Sequence, residues 1–469
     1  MEYKSFEQFF DIPLRNGLTK PKKVRGKGFK MINMGELFAF PRINNIQMDR
    51  VPLNEKEREN YLVEKGDLLF ARQSLVREGA GKCSIFIDDN EVVCFESHLI
   101  RCRLRKDISN PLFFYYYFAS RKGKLTIDAI IEQGAGAAGI RGSDLAQVLV
   151  PNCAKSKQDK IANILGKIDD KIELNTQINQ TLEQIAQAIF KSWFVDFDPV
   201  KAKIAVLESG GTKEEAERSA MSVISGKDEM ALDALKDENP EAYSELEKSA
   251  ALFPSVMQNS ELGQIPHGWE IKNVGDYLDT VSKTYPLKTV TEVIFLNTGD
   301  IQNGKFLHAK KTAIEKLPGQ AKKSIKKGDI LYSEIRPHNR RYAFVYFDAN
   351  NYVVSTKLMV LRSSANIASE YLYYIVTQQS VINYLQVIAE SRSGTFPQIT
   401  FDVLSKVKLV VPNNLSIIEV FTDKYLKKIM KKRWLIDEEN LKLENIRDTL
   451  LPKLLSGEID VSTLLEVAE

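Results

Sequence analysis

Two arginine-rich loops hold the side chains with the most specific chemistry in the sequence. One loop reads RPHNRR at residues 336–341, and the other reads RQSLVREG at residues 72–79. Arginine can donate two parallel hydrogen bonds to guanine, and asparagine or glutamine can pair in the same way with adenine, so these residue types distinguish bases in a DNA major groove. The base-contact candidates are Arg72, Gln73, Ser74, Arg77, Arg336, His338, Asn339, Arg340 and Arg341. Phosphate contact is the commoner role of a single arginine, and that alternative stays open for each of them.

Clusters of basic residues accompany both loops along the chain. Such side chains suit sequence-independent binding to phosphates. The phosphate candidates are Lys22, Lys23, Arg25, Lys27, Lys30, Lys310, Lys311, Lys322 and Lys323. The net charge is +6 over residues 1–155, −7 over 156–260, +6 over 261–412 and −2 over 413–469, within a total of +3. This alternation indicates two modules that face a polyanion and two connecting segments that face something else.

Catalytic chemistry has no recognisable motif in this chain. The four histidines and four cysteines lack metal-ligand spacing and nucleophile context, and no G-x-x-x-x-G-K-[ST] loop occurs. The glycine-rich run at 134–139 follows an apparent helix instead of a strand, which predicts a flexible loop and not a cofactor site. We therefore expect no catalytic residue, no metal and no cofactor on this chain.

Asp67 and Asp329 are the best candidates for a magnesium-dependent nuclease, because they occupy repeated positions. Each follows a glycine at the start of a strand-like run, where aspartate normally closes a turn. We interpret both as turn residues. A stand-alone nuclease or a fused restriction enzyme remains the alternative.

The sequence around these aspartates is an internal repeat. Residues 64–70 (EKGDLLF) return as 326–332 (KKGDILY). In each half, strand-like runs, an aromatic helix-like stretch and a strand ending in proline follow in the same order, with a glycine-containing loop at 134–139 or 391–395. This pattern predicts two similar α/β modules, at residues 1–155 and 261–412.

Helical periodicity follows each module. The residues predicted to form the helix seam or a partner-docking face are Ile161, Leu165, Ile168, Ile172, Leu182, Ile189, Ile429, Ile436, Leu443 and Leu450, with Tyr425 and Ile446 beside them. Asn175 and Asn179 interrupt the seam as a register device. Residues 156–198 and 413–469 are predicted to pair as antiparallel coiled-coil spacers, with a helix of about 60 Å at about 1.5 Å per residue in the first.

The acidic segment at 199–260 is rich in Ala, Glu, Lys and Ser, with a break at Gly210 and Gly211. It predicts short helices that form a mobile connector. No apolar run is long enough for a membrane span, and the N-terminal residues lack the pattern of a signal peptide, so we expect a cytoplasmic protein.

In this layout the chain resembles the specificity subunits of type I restriction-modification enzymes. Residues 260–269 (SELGQIPHGW) are similar to that family's opening signature of a recognition domain. Residues 158–172 with 190–197 resemble its central conserved helix, and 450–459 (LLPKLLSGEI) resemble the end of its second helix. No such opening signature precedes the first module, so the first module is expected to lack that opening strand, or the chain to start downstream of a longer ancestor's start.

The resemblance implies an α+β protein in which two α/β target-recognition domains are joined by two long antiparallel coiled-coil helices in a pseudo-twofold repeat. It implies that each domain reads one half of a bipartite site on double-stranded DNA. It also implies two methyltransferase subunits that bring S-adenosylmethionine, and restriction and translocase subunits that bring ATP and Mg. A coiled-coil scaffold for acidic partners is a further hypothesis, and sequence-independent binding without salt dependence would favour it.

Overall fold

The computed structural model describes residues 2–134, 136–364, 366–392 and 397–459. The chain divides into two compact units, here called the first unit (Met1–Leu174 with Lys442–Glu469) and the second unit (Asn175–Leu441). Residues 393–395 of the second predicted glycine-containing loop lie outside the described residues. Within the described ranges, every helix is too short or too polar to cross a membrane.

The first unit is built on small β-sheets. Its strands are β1 (Glu2–Ser5), β2 (Arg15–Asn16), β3 (Phe29–Ile32), β4 (Arg42–Asn44), β5 (Asp49–Val51), β6 (Leu68–Ala71), β7 (Gln73–Ser74), β8 (Cys83–Asp88), β9 (Val93–Phe95), β10 (Leu99–Cys102), β11 (Glu132–Gln133), β12 (Ala138–Gly139) and β13 (Leu149–Asn152). A five-stranded sheet has the order β2-β10-β6-β8-β4, and three-stranded sheets have the orders β5-β3-β9 and β11-β12-β7.

Short helices cover these sheets, and a long helix follows them in the chain. They are α1 (Met34–Ala39), α2 (Glu55–Tyr61), α3 (Pro111–Ala119), α4 (Arg121–Asp128), α5 (Gly142–Gln147) and α6 (Lys155–Phe194). The side chain of Asn110 accepts the N–H groups of Leu112 and Phe113 and so caps α3, which Pro111 opens. The aromatic residues of α3 are buried, as the sequence predicts.

The second unit includes α6 from Asn175 onward and continues with four helices, α7 (Asp198–Glu208), α8 (Lys213–Ser225), α9 (Glu229–Glu238) and α10 (Pro240–Ala251). Its strands are β14 (Met257–Ser260), β15 (Gly263–Pro266), β16 (Trp269–Asn273), β17 (Leu278–Thr280), β18 (Glu292–Leu296), β19 (Ile301–Gln302), β20 (Lys305–Phe306), β21 (Lys311–Ala313), β22 (Ala321–Ser324), β23 (Ile330–Ser333), β24 (Tyr342–Phe344), β25 (Tyr352–Ser355), β26 (Leu358–Ser363) and β27 (Lys408–Pro412). The later helices are α11 (Ser369–Val376), α12 (Gln379–Arg392), α13 (Phe401–Ser405), α14 (Ser416–Phe421) and α15 (Lys427–Ser456), with a π-helical segment, Thr422–Leu426, before α15.

Sheet topology confirms the internal repeat. The order β17-β26-β23-β24 in the second unit repeats β2-β10-β6-β8 in the first. The order β21-β18-β25 repeats β5-β3-β9. In each sheet one neighbour of the central strand is parallel to it, β25 beside β18 and β9 beside β3. The predicted class, α+β with two α/β units and long paired helices, is therefore correct.

The expectation that the first module lacks its opening strand is wrong. Strand β1 pairs antiparallel with β13, just as β16 pairs antiparallel with β27 in the second unit. What the signature residues 260–269 add is the β14–β15 hairpin ahead of β16. The strand could form without the signature because its ladder uses backbone groups, which any non-proline sequence supplies.

Each Gly-Asp turn ends in a buried ion pair, which confirms the interpretation of Asp67 and Asp329 as turn residues. Gly66 and Gly328 adopt φ angles of +94° and +88°, which glycine allows without strain. The Asp67 carboxylate accepts the N–H of Glu64 at 2.8 Å and two bonds from Arg103 at 2.8 and 2.7 Å. The Asp329 carboxylate accepts the N–H of Lys326 at 2.8 Å and two bonds from Arg362 at 2.7 and 2.9 Å.

Helix α6 covers nearly the predicted range, whereas α15 begins and ends inside the predicted segment 413–469. Of the predicted seam residues, Ile161, Leu165 and Ile436 are buried. The buried face of α15 also contains residues outside the predicted heptad. Helix α6 is 40 residues long. On α15 and the π-helical segment, the buried side chains include Leu426, Met430, Arg433 and Asn440. The prediction that Ile446 lies beside the seam is wrong, since it is 48% exposed. A hydrophobic pattern overlooks this face because an arginine and an asparagine occupy it.

The prediction of a mobile connector at 199–260 is also wrong. Helices α7 to α10 contribute Val200, Met221, Leu232 and Phe253 to the same buried cluster that holds Trp193. The ring centroids of Trp193 and Phe253 lie 5.1 Å apart. The break at the Gly210–Gly211 pair is confirmed, because α7 ends just before it and α8 starts just after it. The acidic average composition of residues 199–260 did not reveal that a few apolar residues recur there at helical spacing and could be buried.

Candidate nucleic-acid interface

The loop between β23 and β24 brings five of the predicted base-contact residues together. Residues Pro337–Asn339 form one 3-10 turn, flanked by Arg336 and Arg340 in the left-handed region, with φ angles of 44° and 51°. For a residue with a side chain, such a conformation costs about 1–3 kcal/mol and persists only where surrounding contacts impose it. Arg336, His338, Asn339 and Arg340 are exposed.

Backbone and side-chain contacts fix both ends of this loop. The N–H of Arg336 donates to the carbonyl of Pro397 at 3.0 Å. The guanidinium of Arg341 donates to the carbonyl of Thr298 at 2.9 Å, which ties it to a neighbouring turn. The loop is therefore held at both ends and presents polar side chains to solvent.

The corresponding loop of the first unit belongs to a small sheet. Strand β7, with Gln73 and Ser74, pairs with β12, which pairs with β11. The predicted flexible loop at 134–139 thus contains a β-strand, β12, although Ala135 lies outside the described residues. Gln73 Oε1 is 3.3 Å from His98 Nδ1, and Ser74 Oγ accepts the N–H of Val76 at 3.3 Å. Arg72 is half-buried at the base of the loop.

Arg77 has a structural role in place of the predicted base contact. Its Nε donates to Asp128 Oδ1 at 2.9 Å, and its Nη2 donates to the Asp128 carbonyl at 2.8 Å. Its Nη1 reaches the carbonyl of Ile131 at 3.3 Å. The guanidinium therefore ties the loop to the C-terminus of α4, where a cation is favoured by the helix dipole.

The phosphate candidates differ in exposure and in their partners. Those that are exposed are Lys22, Lys23, Lys27, Lys310, Lys311 and Lys322. Lys30 is buried and bonds to Asp89 at 2.9 Å, Arg25 pairs with Asp49 at 3.0 Å, and Lys311 pairs with Glu292. Lys323 donates to the carbonyls of Thr356 and Leu358, and burial lowers its pKa. The prediction that Lys30 and Lys323 bind phosphate is wrong, because their ammonium groups donate to acceptors within the protein.

Each unit contains the same trio of tyrosine, acid and arginine, which the sequence did not predict. In the first unit the hydroxyl of Tyr116 donates to Asp169 at 2.7 Å, and Arg447 donates to the same carboxylate at 2.8 Å. Burial, together with the adjacent Asp169 carboxylate, raises the pKa of Tyr116. The tyrosine comes from α3, the acid from α6 and the arginine from α15, so the trio joins the β-rich module to both long helices.

The second unit forms its trio from its own aromatic helix, α11, and from the same two long helices. The hydroxyl of Tyr374, on α11, donates to Glu183 at 3.1 Å, and Arg433 forms an ion pair with the same carboxylate. Burial by itself would lower the pKa of Arg433, but Glu183 and the neighbouring tyrosines hold it above its ordinary value. The recurring aromatic helix was the available sequence signal, but the partners lie on distant elements.

The asparagine pair on α6 bonds to α15, as a register device should. Asn175 Nδ2 donates to Glu439 and Asn440 at 2.8 and 2.9 Å. Asn179 Nδ2 donates to Asp437 at 2.7 Å. The residue numbers of the bonded partners on α15 decrease as those on α6 increase. The two helices therefore pack antiparallel in this region. A slip of the helices would leave these buried amides without partners.

Asp437 provides a test of this contact through pH. Burial raises the pKa of its carboxyl, although Lys305, Arg433 and the bond from Asn179 oppose the shift. The folded chain therefore keeps this proton where the unfolded chain has released it, and the stability gained is lost as pH rises through the folded pKa. We expect Asp437→Asn to be more stable than the original chain above the folded pKa of Asp437, and equally stable below the unfolded pKa. Urea unfolding across a pH series measures the difference, and a gain independent of pH would contradict it.

These observations define a class of protein, a binding protein made of two repeated recognition units with exposed polar loops, tied to paired long helices. The chain belongs to the type I restriction-modification DNA specificity family. The family model described as the type I restriction modification DNA specificity domain matches residues 1–184 and 266–433. The specificity subunit of this family is not itself catalytic.

Curated relatives agree with this assignment. The chain is 34% identical over 413 residues to the type I restriction enzyme HindI specificity subunit of Haemophilus influenzae, covering 85% of this chain and 87% of that protein. It is 22% identical over 360 residues to the type I restriction enzyme MjaIX specificity subunit of Methanocaldococcus jannaschii, covering 75% and 70% of the two chains. The crystal structure of a type I restriction-modification S subunit from M. genitalium has a similar fold, with a TM-score of 0.50 at 16% identity, over 97% of this chain and 95% of that one.

Proposed function

We propose that this chain is the sequence-reading subunit of a type I restriction-modification complex and that each unit binds one half of an asymmetric bipartite site on double-stranded DNA. The observation that carries the proposal is the repeated scaffold with unlike loops. The strands before and after the two loops have the same order, whereas one loop presents Arg336, Asn339 and Arg340 and the other presents Arg72 and Gln73. Two similar scaffolds with different polar loops suit two different half-sites.

The long helices set the spacer between half-sites and dock two methyltransferase subunits, with restriction and translocase subunits completing the complex. Exposed apolar side chains on α6 and α15 support docking, since Leu174, Ile185 and Leu435 are 43–51% exposed. S-adenosylmethionine, ATP and Mg belong to those partners, and this chain binds none of them. The compartment is the cytoplasm, where such a complex meets DNA.

The test uses the full chain co-purified with its methyltransferase partner, after the methylated site has been mapped. We expect Arg340→Ala to relax base preference in one half-site and Arg72→Ala in the other, each by about 1–3 kcal/mol per lost base contact. Lys322→Ala is the matched control. Loss of an exposed phosphate-binding lysine should weaken binding to all duplexes equally and reduce the salt dependence of binding.

The result that contradicts the proposal is a wild-type complex without preference among duplexes. The nuclease alternative would instead require Mg-dependent cleavage by this chain alone, lost in Asp67→Ala. The existing contacts of Asp67 with Arg103 and with the N–H of Glu64 already account for its burial, so nothing in the turn favours that alternative.

A further inference from the structure

The recognition loop of the second unit lies against one face of α12, and three amide side chains on that face bond to it. Gln386 Oε1 accepts the backbone N–H of His338 at 3.1 Å. Asn383 Oδ1 lies 3.1 Å from His338 Nε2. Gln379 Oε1 accepts a bond from the Arg340 guanidinium. All three residues lie on one side of α12, because their spacing follows the helical repeat.

The same amides also bond to one another and to a carboxylate. Gln379 Nε2 donates to Asn383 Oδ1 at 2.6 Å. Gln386 Nε2 donates to Glu390 Oε1 at 2.7 Å, and Gln386 is only 6% exposed. A buried glutamine with both of its functional atoms occupied has one fixed orientation. The acceptor that holds His338 is therefore itself held by Glu390.

We propose that Gln379, Asn383 and Gln386 are positioning residues for DNA recognition, which lock the loop so that Arg336, Asn339 and Arg340 meet the base edges in one geometry. The inference rests on the proposed function. Base discrimination through paired hydrogen bonds depends on orientation, and a loop with Arg336 and Arg340 in the left-handed region would relax if its contacts were removed. The amide face of α12 therefore acts on specificity through the loop.

The first unit fixes its loop by a different contact. There the anchor is the guanidinium of Arg77 on Asp128 and Ile131, with Ser74 Oγ holding the N–H of Val76. The second unit uses neutral amides in place of this ion pair. Changes in α12 should consequently affect only the half-site that the second unit reads.

The experiment compares Gln386→Leu with Gln378→Leu in the full chain co-purified with its methyltransferase partner. Gln378 is the matched control, because it is a partly buried glutamine directly before α12 whose side chain donates to the carbonyl of Tyr374 and not to the recognition loop. Binding is measured to the cognate duplex, to duplexes with one substituted base pair in either half-site, and to an unrelated duplex. The half-site of the second unit is the one affected by Arg340→Ala.

Gln386→Leu is expected to lose about 5- to 150-fold of the discrimination in that half-site, which is the range of one base contact. Discrimination in the other half-site and affinity for the unrelated duplex should stay at wild-type values, as should every value for Gln378→Leu. The double variant Gln386→Glu/Glu390→Gln keeps an acceptor for His338 and a donor between the two positions, and should restore discrimination. The exposed Gln379→Ala gives a second test that does not touch the core.

Wild-type discrimination in both Gln386→Leu and Gln379→Ala would overturn this inference while leaving the proposed function intact. Equal loss in both half-sites would also overturn it, because it would indicate general destabilisation. A wild-type complex without sequence preference would overturn the inference together with the proposed function.

Discussion

Arg433→Met is expected to lower the free energy of unfolding of the second unit by about 3 kcal/mol or more. The side chain of Arg433 is buried and forms the ion pair with Glu183, which also accepts a bond from Tyr374. Removing the cation leaves a carboxylate among buried aromatic rings without its counter-charge, and methionine of similar length cannot replace the bonds. Urea unfolding followed by circular dichroism measures the change.

Two controls separate the ion pair from lost packing. Lys431→Met changes an exposed cation on the same helix and should alter stability by no more than about 0.5 kcal/mol. The double variant Arg433→Met/Glu183→Leu removes both charges and should recover much of the loss, because a buried pair replaced by apolar residues is often neutral. A single variant as stable as the original chain would contradict the assignment of the trio.

Trp193→Ala is expected to cost about 3–5 kcal/mol, the usual loss for truncating a large buried aromatic side chain. Trp193 is fully buried near the end of α6, and its ring lies 5.1 Å from Phe253, 5.3 Å from Phe421 and 5.6 Å from Tyr425. These rings come from three different segments of the second unit. The substitution should therefore loosen the helices at 199–260 as well as the helix pair.

Limited proteolysis and denaturant unfolding test this prediction together. We expect cleavage within 199–260 to become faster in Trp193→Ala. Trp434→Ala is the matched control, since Trp434 is only half-buried and stacks on Tyr346 with ring centroids 6.1 Å apart. Unchanged cleavage in a destabilised Trp193→Ala would show that the acidic helices stand independently of this core.

Local sequence was sufficient to predict those features that depend on interactions between residues close together in the chain. The Gly-Asp turns could be predicted because glycine supplies the positive φ and aspartate accepts an N–H three residues away. Helix α6 could be predicted because apolar residues recur at helical spacing on both sides of the Asn175 and Asn179 interruption. The repeat followed from the same argument made twice, and topology confirmed it strand by strand.

Local sequence was insufficient where the partner of a residue lies far away in the chain. Lys22 and Lys30 look alike in sequence, yet the first is exposed and the second is buried on Asp89. Arg77 was predicted to contact a base, but in the folded chain its guanidinium bonds to Asp128. Gln386 carried no signal at all, since a glutamine on a helix is ordinary until a loop from elsewhere needs its oxygen.

By itself the sequence determined two repeated β-rich modules, two long helices and a polar register pair between them. It also determined the resemblance to a DNA-specificity family, because these features depend on periodicity, turn residues and short motifs. The tertiary structure decided which basic residues are exposed, which face of α15 is buried and how the recognition loop of the second unit is held. The physical reason is that burial and hydrogen-bond pairing are properties of non-local neighbours, and residues of the same type separate into interior and surface roles only when the chain has folded.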